Sequence, residues 1–182
     1  MATYGTTDRC TGGTATADTT TGAYAASNAC DDNATTFWAS TNTAFPHWWK
    51  YDVGVGITWR ICQLTIKAGI VGTKIGIKDF TLQGSLDNSN WNVVYTGQQV
   101  DNVNVQTYSF INGNYYRYYK INITTDWETS YDMTYLHEVQ MFEGIYPSGG
   151  GILNWFFSQS WKKHNKLWTP KGLTLPKEGF SY

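Results

Sequence analysis

Charge, cysteine and proline are all scarce in this 182-residue chain, and no part of it is a long apolar run. Charged residues make up 15% and the formal net charge is −1, which argues against a nucleic-acid binder that relies on a basic surface. Cys10, Cys30 and Cys62 are odd in number and widely spaced, with no CxxC or Cys/His pattern. A disulfide framework is therefore not expected, and isolated buried thiols are. No stretch approaches the ~18 apolar residues of a membrane-spanning helix. The start, MATYGTTDRCTGG, lacks a basic n-region and an apolar h-region, so no secretory leader is expected. Synthesis in the cytoplasm follows from that expectation, with work in a virion or outside the cell after release. Only 4 Pro stand against 18 Gly, so turns fall to Gly, Asn and Asp.

Catalytic patterns are missing too. His137-Glu138 lacks the second His of a zinc-protease helix, and Gly69–Gly76 lacks the Lys-Ser/Thr ending of a phosphate loop. The three His and three Cys have no evident nucleophile–base pairing. Asp31 and Glu138 could imitate a glycosidase pair, but no enzyme is expected.

Aromatic rings are abundant: 16% of residues, with 9 Trp and 13 Tyr. That balance suits a β-rich protein with aromatic contact surfaces rather than a helical bundle. Residues 12–20 read as an edge strand, and WWKYDVGVG as a strand ended by Gly54 and Gly56. Residues 57–68 alternate with period two around a break near Cys62, which suggests a bulge. Residues 77–86 and 91–95 form a hairpin about Asp87–Asn90; 105–111, 115–123 and 135–143 complete the set. Eight short strands with intervening turns predict an all-β, eight-stranded antiparallel jelly-roll sandwich.

Charge divides the chain. Residues 1–146 carry 8 − 13 = −5 and residues 147–182 carry 5 − 1 = +4. The first segment is the expected sandwich. The second is a Gly-rich exit followed by an aromatic, basic arm, expected to be partly helical. Its Trp155, Phe156, Phe157, Trp161 and Trp168 are candidate anchors for other subunits of the same assembly; the alternative is that they cover their own sandwich.

AASNACDDNATTFW, residues 25–38, places Asp31, Asn33 and Thr36 within six residues. A carboxylate, an amide oxygen and a hydroxyl at that spacing suit a hard cation such as Ca²⁺. A solvated turn rich in Asx residues is the competing explanation.

Five ordered motifs resemble the discoidin, or factor V/VIII C-type, superfamily of galactose-binding-like domains, which includes the family 32 carbohydrate-binding modules. They are the Ala25-to-Ser40 segment with its D-x-N-x-x-T-x-W core, WWKYDVG (48–54), KDFTLQGSLDNSNW (78–91), YYRYYKINI (115–123) and HEVQMFEG (137–144). The resemblance covers about residues 12–146. It implies a jelly roll with a structural calcium held by the side chains of Asp31, Asn33, Thr36 and Glu138 and by backbone oxygens near Asn28 and His137. Family members commonly have Gly where this chain has Asp32. Asp52 and Arg117 are implied to be structural, Arg117 as a buried cation, and Trp38, Trp48 and Trp91 to lie in the core.

A cell-surface glycan is the partner the resemblance implies, bound on loops at one end. Candidates are Tyr24, Asn42, Phe45, His47, Lys74, Lys78, Trp127 and Tyr131, each of which could instead pack on its neighbours. Chains of this kind that begin at Met, lack a leader and run into a YPSGGG exit are similar to phage or virus-like particle proteins. A receptor-binding, fibre or decoration role is thus expected; the alternative is a purely structural capsid or tail protein that binds no glycan.

Overall fold

The computed structural model describes residues 3–69, 76–128 and 132–145. The arm expected over 147–182 lies outside the described residues, as do Lys74 and Tyr131. Residues Met1–Ile145 form one compact unit.

Ten strands are present among the described residues: β1 (Thr3–Tyr4), β2 (Thr14–Ala17), β3 (Trp38–Ala39), β4 (His47–Asp52), β5 (Ile61–Ala68), β6 (Ile77–Ser85), β7 (Asn92–Gln98), β8 (Gln106–Ser109), β9 (Tyr118–Asp126) and β10 (Tyr135–Ile145). Eight correspond to the expected strands, and the two-residue β1 and β3 are additional. One sheet runs β1-β10-β5-β8 with β3 on β10, and the other runs β2-β4-β9-β6-β7. All pairings are antiparallel. The architecture is the expected jelly-roll sandwich. A 3-10 helix, Ala26–Cys30, leads into the acidic segment.

Period-two alternation decides what enters the core. In β4 the inward residues are His47, Trp49 and Tyr51, while Trp48, Lys50 and Asp52 face outward. Trp49 and Tyr51 share one core with Ile61, Leu64 and Ile66 of β5, Phe80 and Leu82 of β6, and Ile121 and Ile123 of β9. Trp38 is in the core as expected. Trp48 and Trp91 are not. Each is half-buried, with Lys50 Nζ 5.3 Å from the Trp48 ring and Lys120 Nζ 4.2 Å from the Trp91 ring. Pleat parity is the reason for Trp48: two adjacent tryptophans in a strand point to opposite faces. Arg117 differs as well, since it is half-exposed and its guanidinium makes a bidentate pair with Asp52 at 2.8 and 2.7 Å. Asp52 is structural, its carboxyl held below the usual range by that pair.

The break expected near Cys62 is a bulge: Gln63 is opposite Phe142 and Ile61 opposite Glu143, so the register with β10 shifts at Cys62. None of the three cysteines is in a disulfide; Cys10 and Cys62 are buried and Cys30 half-buried.

β6 crosses Tyr116 at Gly84, where a Cβ would overlap the Tyr116 ring. Gly84→Ala should therefore destabilise the fold by roughly 1–3 kcal/mol through overpacking, read as a lower urea midpoint. An unchanged midpoint would show that the Tyr116 ring is free to move aside.

Candidate functional site

The acidic segment follows the 3-10 helix, and its position is set by two core tryptophans. Trp49 Nε1 donates to the Ala26 carbonyl at 2.9 Å, and Trp38 Nε1 to the Thr19 carbonyl at 2.9 Å. Asp31 Oδ1 accepts from the Asn33 amide at 3.0 Å, and Thr36 Oγ1 donates to the Asp31 carboxylate at 2.8 Å. Asn28 Nδ2 closes the loop onto the Phe37 carbonyl. Asp32 has φ 56°. This left-handed conformation favours glycine, and Asp tolerates it better than most residues.

Glu138 reaches the same place from β10. Both of its carboxyl oxygens are buried and have no hydrogen-bond partner. Lys67 is its cross-strand partner, yet Lys67 Nζ donates to the Ala34 carbonyl at 2.9 Å instead. Burial, then the charges of Asp32, Asp31 and Asp8, push the Glu138 carboxyl up to about 7. Asp8 was not anticipated. Its carboxylate accepts from the Cys10 and Met141 amides, both at 2.9 Å, and no local motif marks it. Beside these groups opens a cavity of about 230 Å³, lined by Asp32, Ala34, Thr65, Lys67, Val105, Glu138 and Gln140.

A buried carboxylate among other carboxylates, with no proton donor or cation against it, is an arrangement that a bound cation satisfies. Among the described residues no three His, Cys, Asp or Glu side chains alone are placed to hold a metal. A cation held here would need a mixed set, with amide, hydroxyl and carbonyl oxygens beside the Asp31 and Glu138 carboxylates. The nearby thiols are poor ligands, because burial raises Cys10 and pushes Cys30 up to about 12, keeping both protonated. Hard, oxygen-only donors fit calcium. The His137 ring packs against Phe37 at 5.1 Å and does not enter the oxygen set.

At one end of the sandwich, Asn42, Phe45 and His47 come together around the segment after residue 131. Asn42 Oδ1 accepts from the Asp132 amide at 2.9 Å, and the Phe45 ring meets His47 edge-on at 4.9 Å. Lys78 and Trp127 pair at the same end, Nζ 4.8 Å from the ring. Tyr24 lies flat on Phe37 at 4.4 Å and 17°, and it remains 41% exposed. Phe37 was not anticipated as its support.

His47 has no accessible surface for a ligand. Its Nδ1 lies 2.8 Å from Asp18 Oδ2 and its Nε2 2.9 Å from the Asp132 carbonyl, so it ties two loops together. Burial pulls its pKa down, but Asp18 and the Asp132 carbonyl outweigh that and raise it overall. Stability from this group is therefore complete below the ordinary 6.5 and is lost as pH rises through the higher folded value. His47→Phe should cost about 2 kcal/mol or more and flatten that alkaline-side decline in thermal denaturation. An unaltered slope would assign the decline to another group.

Residues 14–139 match the model of the F5/8 type C domain. No curated protein matches the chain. Among solved structures, chitosan-binding module 1 of a Paenibacillus sp. IK-5 chitosanase/glucanase is 25% identical, with 74% of this chain and 98% of that chain covered at TM-score 0.62. A family 32 module of C. perfringens NanJ, solved with galactose, is 20% identical over 79% of this chain and 100% of its own, at TM-score 0.64. The lectin-binding domain of lectinolysin, solved with Lewis b, is 17% identical over 79% and 100%, at TM-score 0.66.

Proposed function

Because this chain belongs to the F5/8 type C domain family, we propose that its sandwich is a non-catalytic carbohydrate-binding module with one structural calcium ion. The observation that carries the reading is the Tyr24 ring, supported from below by Phe37 and open above. An aromatic face of this kind suits the C–H-rich face of a pyranose. Trp127, Asn42, Phe45 and Lys78 stand at the same end to fix hydroxyls and extend the platform. Solved modules of similar fold bind galactose and Lewis b, which supports a glycan as the ligand class. Asp31, Asn33, Thr36, Glu138 and main-chain oxygens near Asn28 and His137 would hold the calcium, which stiffens the loop beside the platform.

Titration of the full chain with galactose and neutral oligosaccharides in calcium tests this. Tyr24→Ala and Trp127→Ala should each weaken binding at least tenfold while leaving the thermal midpoint in place. A folded protein that binds nothing on a glycan array would point instead to a structural capsid or tail protein.

Display on a larger assembly, such as a virion, is the finer part of the reading. Its support is the composition of residues 147–182, aromatic and net +4. Light scattering on the full chain and on residues 1–146 should give an assembly for the first and a monomer for the second; equal masses would remove the arm from any role in assembly.

A further inference from the structure

The opposite end of the sandwich carries a second concave surface that the reading above does not use. A groove of about 550 Å³ opens between the β6–β7 turn and the segment before β9, within the size range of small-ligand sites. Its lining includes no charged residue. From the geometry of its floor and rim, we infer that this groove is a second binding site, for a neutral saccharide.

The floor is fixed by buried groups. Asn112 is buried, donates through Nδ2 to the Ile61 carbonyl at 3.0 Å, and accepts through Oδ1 from the Asn114 amide at 3.0 Å. Tyr116 is buried over Gly84, exchanges backbone hydrogen bonds with Trp59 at 3.0 Å, and accepts from Asn114 Nδ2 at 3.3 Å. The groove is thus preformed, which lowers the ordering cost of binding.

The rim combines two chemistries. Tyr115 is 49% exposed, and the Arg60 guanidinium lies 5.2 Å from its ring while donating to the Gly144 carbonyl at 3.0 Å. That contact steadies the ring as a platform. Leu86, Val93 and Ile111 add exposed apolar surface, and Asn92 and Asn114 add amides that both donate and accept. A purely apolar ligand would bury those amides unpaired. A phosphate or carboxylate would meet no cation in the lining, since the Arg60 guanidinium beside the rim lies outside it and is directed to the Gly144 carbonyl. A pyranose has the required pair of features: a C–H face for the ring and hydroxyls for the amides.

The groove is independent of the Tyr24 and Trp127 end. Tyr116 precedes β9 and Trp127 follows it, so the nine residues of β9 separate them, on the order of 30 Å at ~3.3 Å per residue. One domain would then hold two sugars that face away from each other.

Nuclear magnetic resonance on the isotope-labelled full chain separates the two sites. The probes are neutral oligosaccharides built on galactose, N-acetylglucosamine or mannose, with galacturonate oligomers as the charged comparison. At least one neutral probe should shift the Asn92 and Asn114 side-chain amides and the amides of residues 111–116. These shifts should persist in the Tyr24→Ala/Trp127→Ala double variant, which tests the first reading separately. Tyr115→Ala should weaken them at least tenfold, and Asn92→Ala should do so without touching the platform ring. The inference is overturned if no neutral probe shifts these amides at millimolar concentration. It is equally overturned if both variants bind as the parent does, or if galacturonate binds the groove more tightly than every neutral probe.

Discussion

In chelator, thermal stability should fall by roughly 3 kcal/mol as pH rises from about 4.5 to about 7, and calcium should restore it. The arithmetic rests on Glu138, whose carboxyl is raised from 4.5 to about 7, at ~1.4 kcal/mol per unit. The sign is opposite to that of most native carboxylates. The folded state holds this proton more tightly than the unfolded chain, so stability is complete below 4.5 and declines until the folded group has ionised. For a domain of this size the change is on the order of 10 °C in Tm. Asp126, raised by burial to about 6, declines with the same sign. Calcium should separate the two, because the proposed site includes Glu138 and not Asp126. At a thousandfold excess over its Kd, a bound ion adds about 4 kcal/mol. Glu138→Gln should abolish most of the chelator-specific decline and raise metal-free stability at pH 7, while weakening calcium binding. Identical pH profiles with and without calcium would remove the ion from this loop.

Trp49→Ala should destabilise the domain by about 3–5 kcal/mol, the range for emptying a buried large aromatic site. Total stabilities of 5–15 kcal/mol are ordinary, so the variant should sit near the edge of folding. Trp49 is fully buried, stacks on Tyr51 at 6.0 Å, and holds the Ala26 carbonyl at the start of the 3-10 helix. Trp49→Phe keeps most of the volume but leaves that carbonyl without its donor, at about 1–3 kcal/mol. Urea denaturation in chelator should rank parent, Phe and Ala variants in that order. Calcium titration of the folded Phe variant should show weaker binding, because Ala26 leads directly to Asp31. Unchanged calcium affinity in that variant would separate the core from the loop.

The strand pattern was legible because alternation, turn residues and the Cys62 break are all local signals. Only β1 and β3 escaped, at two residues each too short to show periodicity. The misplaced tryptophans differ in kind. Tyr51 is inward, so parity alone assigns Trp49 to the core and Trp48 to the outer face, but reading the motif as a unit obscured this. Asp31 and Glu138 lie far apart in sequence, and only the family resemblance linked them. Asp8 had no such guide, since it acts through main-chain amides of Cys10 and Met141. The burial of His47 was hidden for a related reason: its partners, Asp18 and the Asp132 carbonyl, come from two other loops. Residues 112–114 fall between the expected strands 105–111 and 115–123, and nothing in so short a link discloses a groove formed with a hairpin on another strand pair.

Thr3 pairs directly with Ile145, so the described chain leaves the fold about where it began. A domain closed in this way behaves like a plug with both leads on one side. It can be spliced into a surface loop of an unrelated scaffold without forcing the scaffold's cut ends apart. A short linker joining residues 145 and 3 should likewise permit new ends at the Asp87–Asn90 turn, with the core of the sandwich undisturbed.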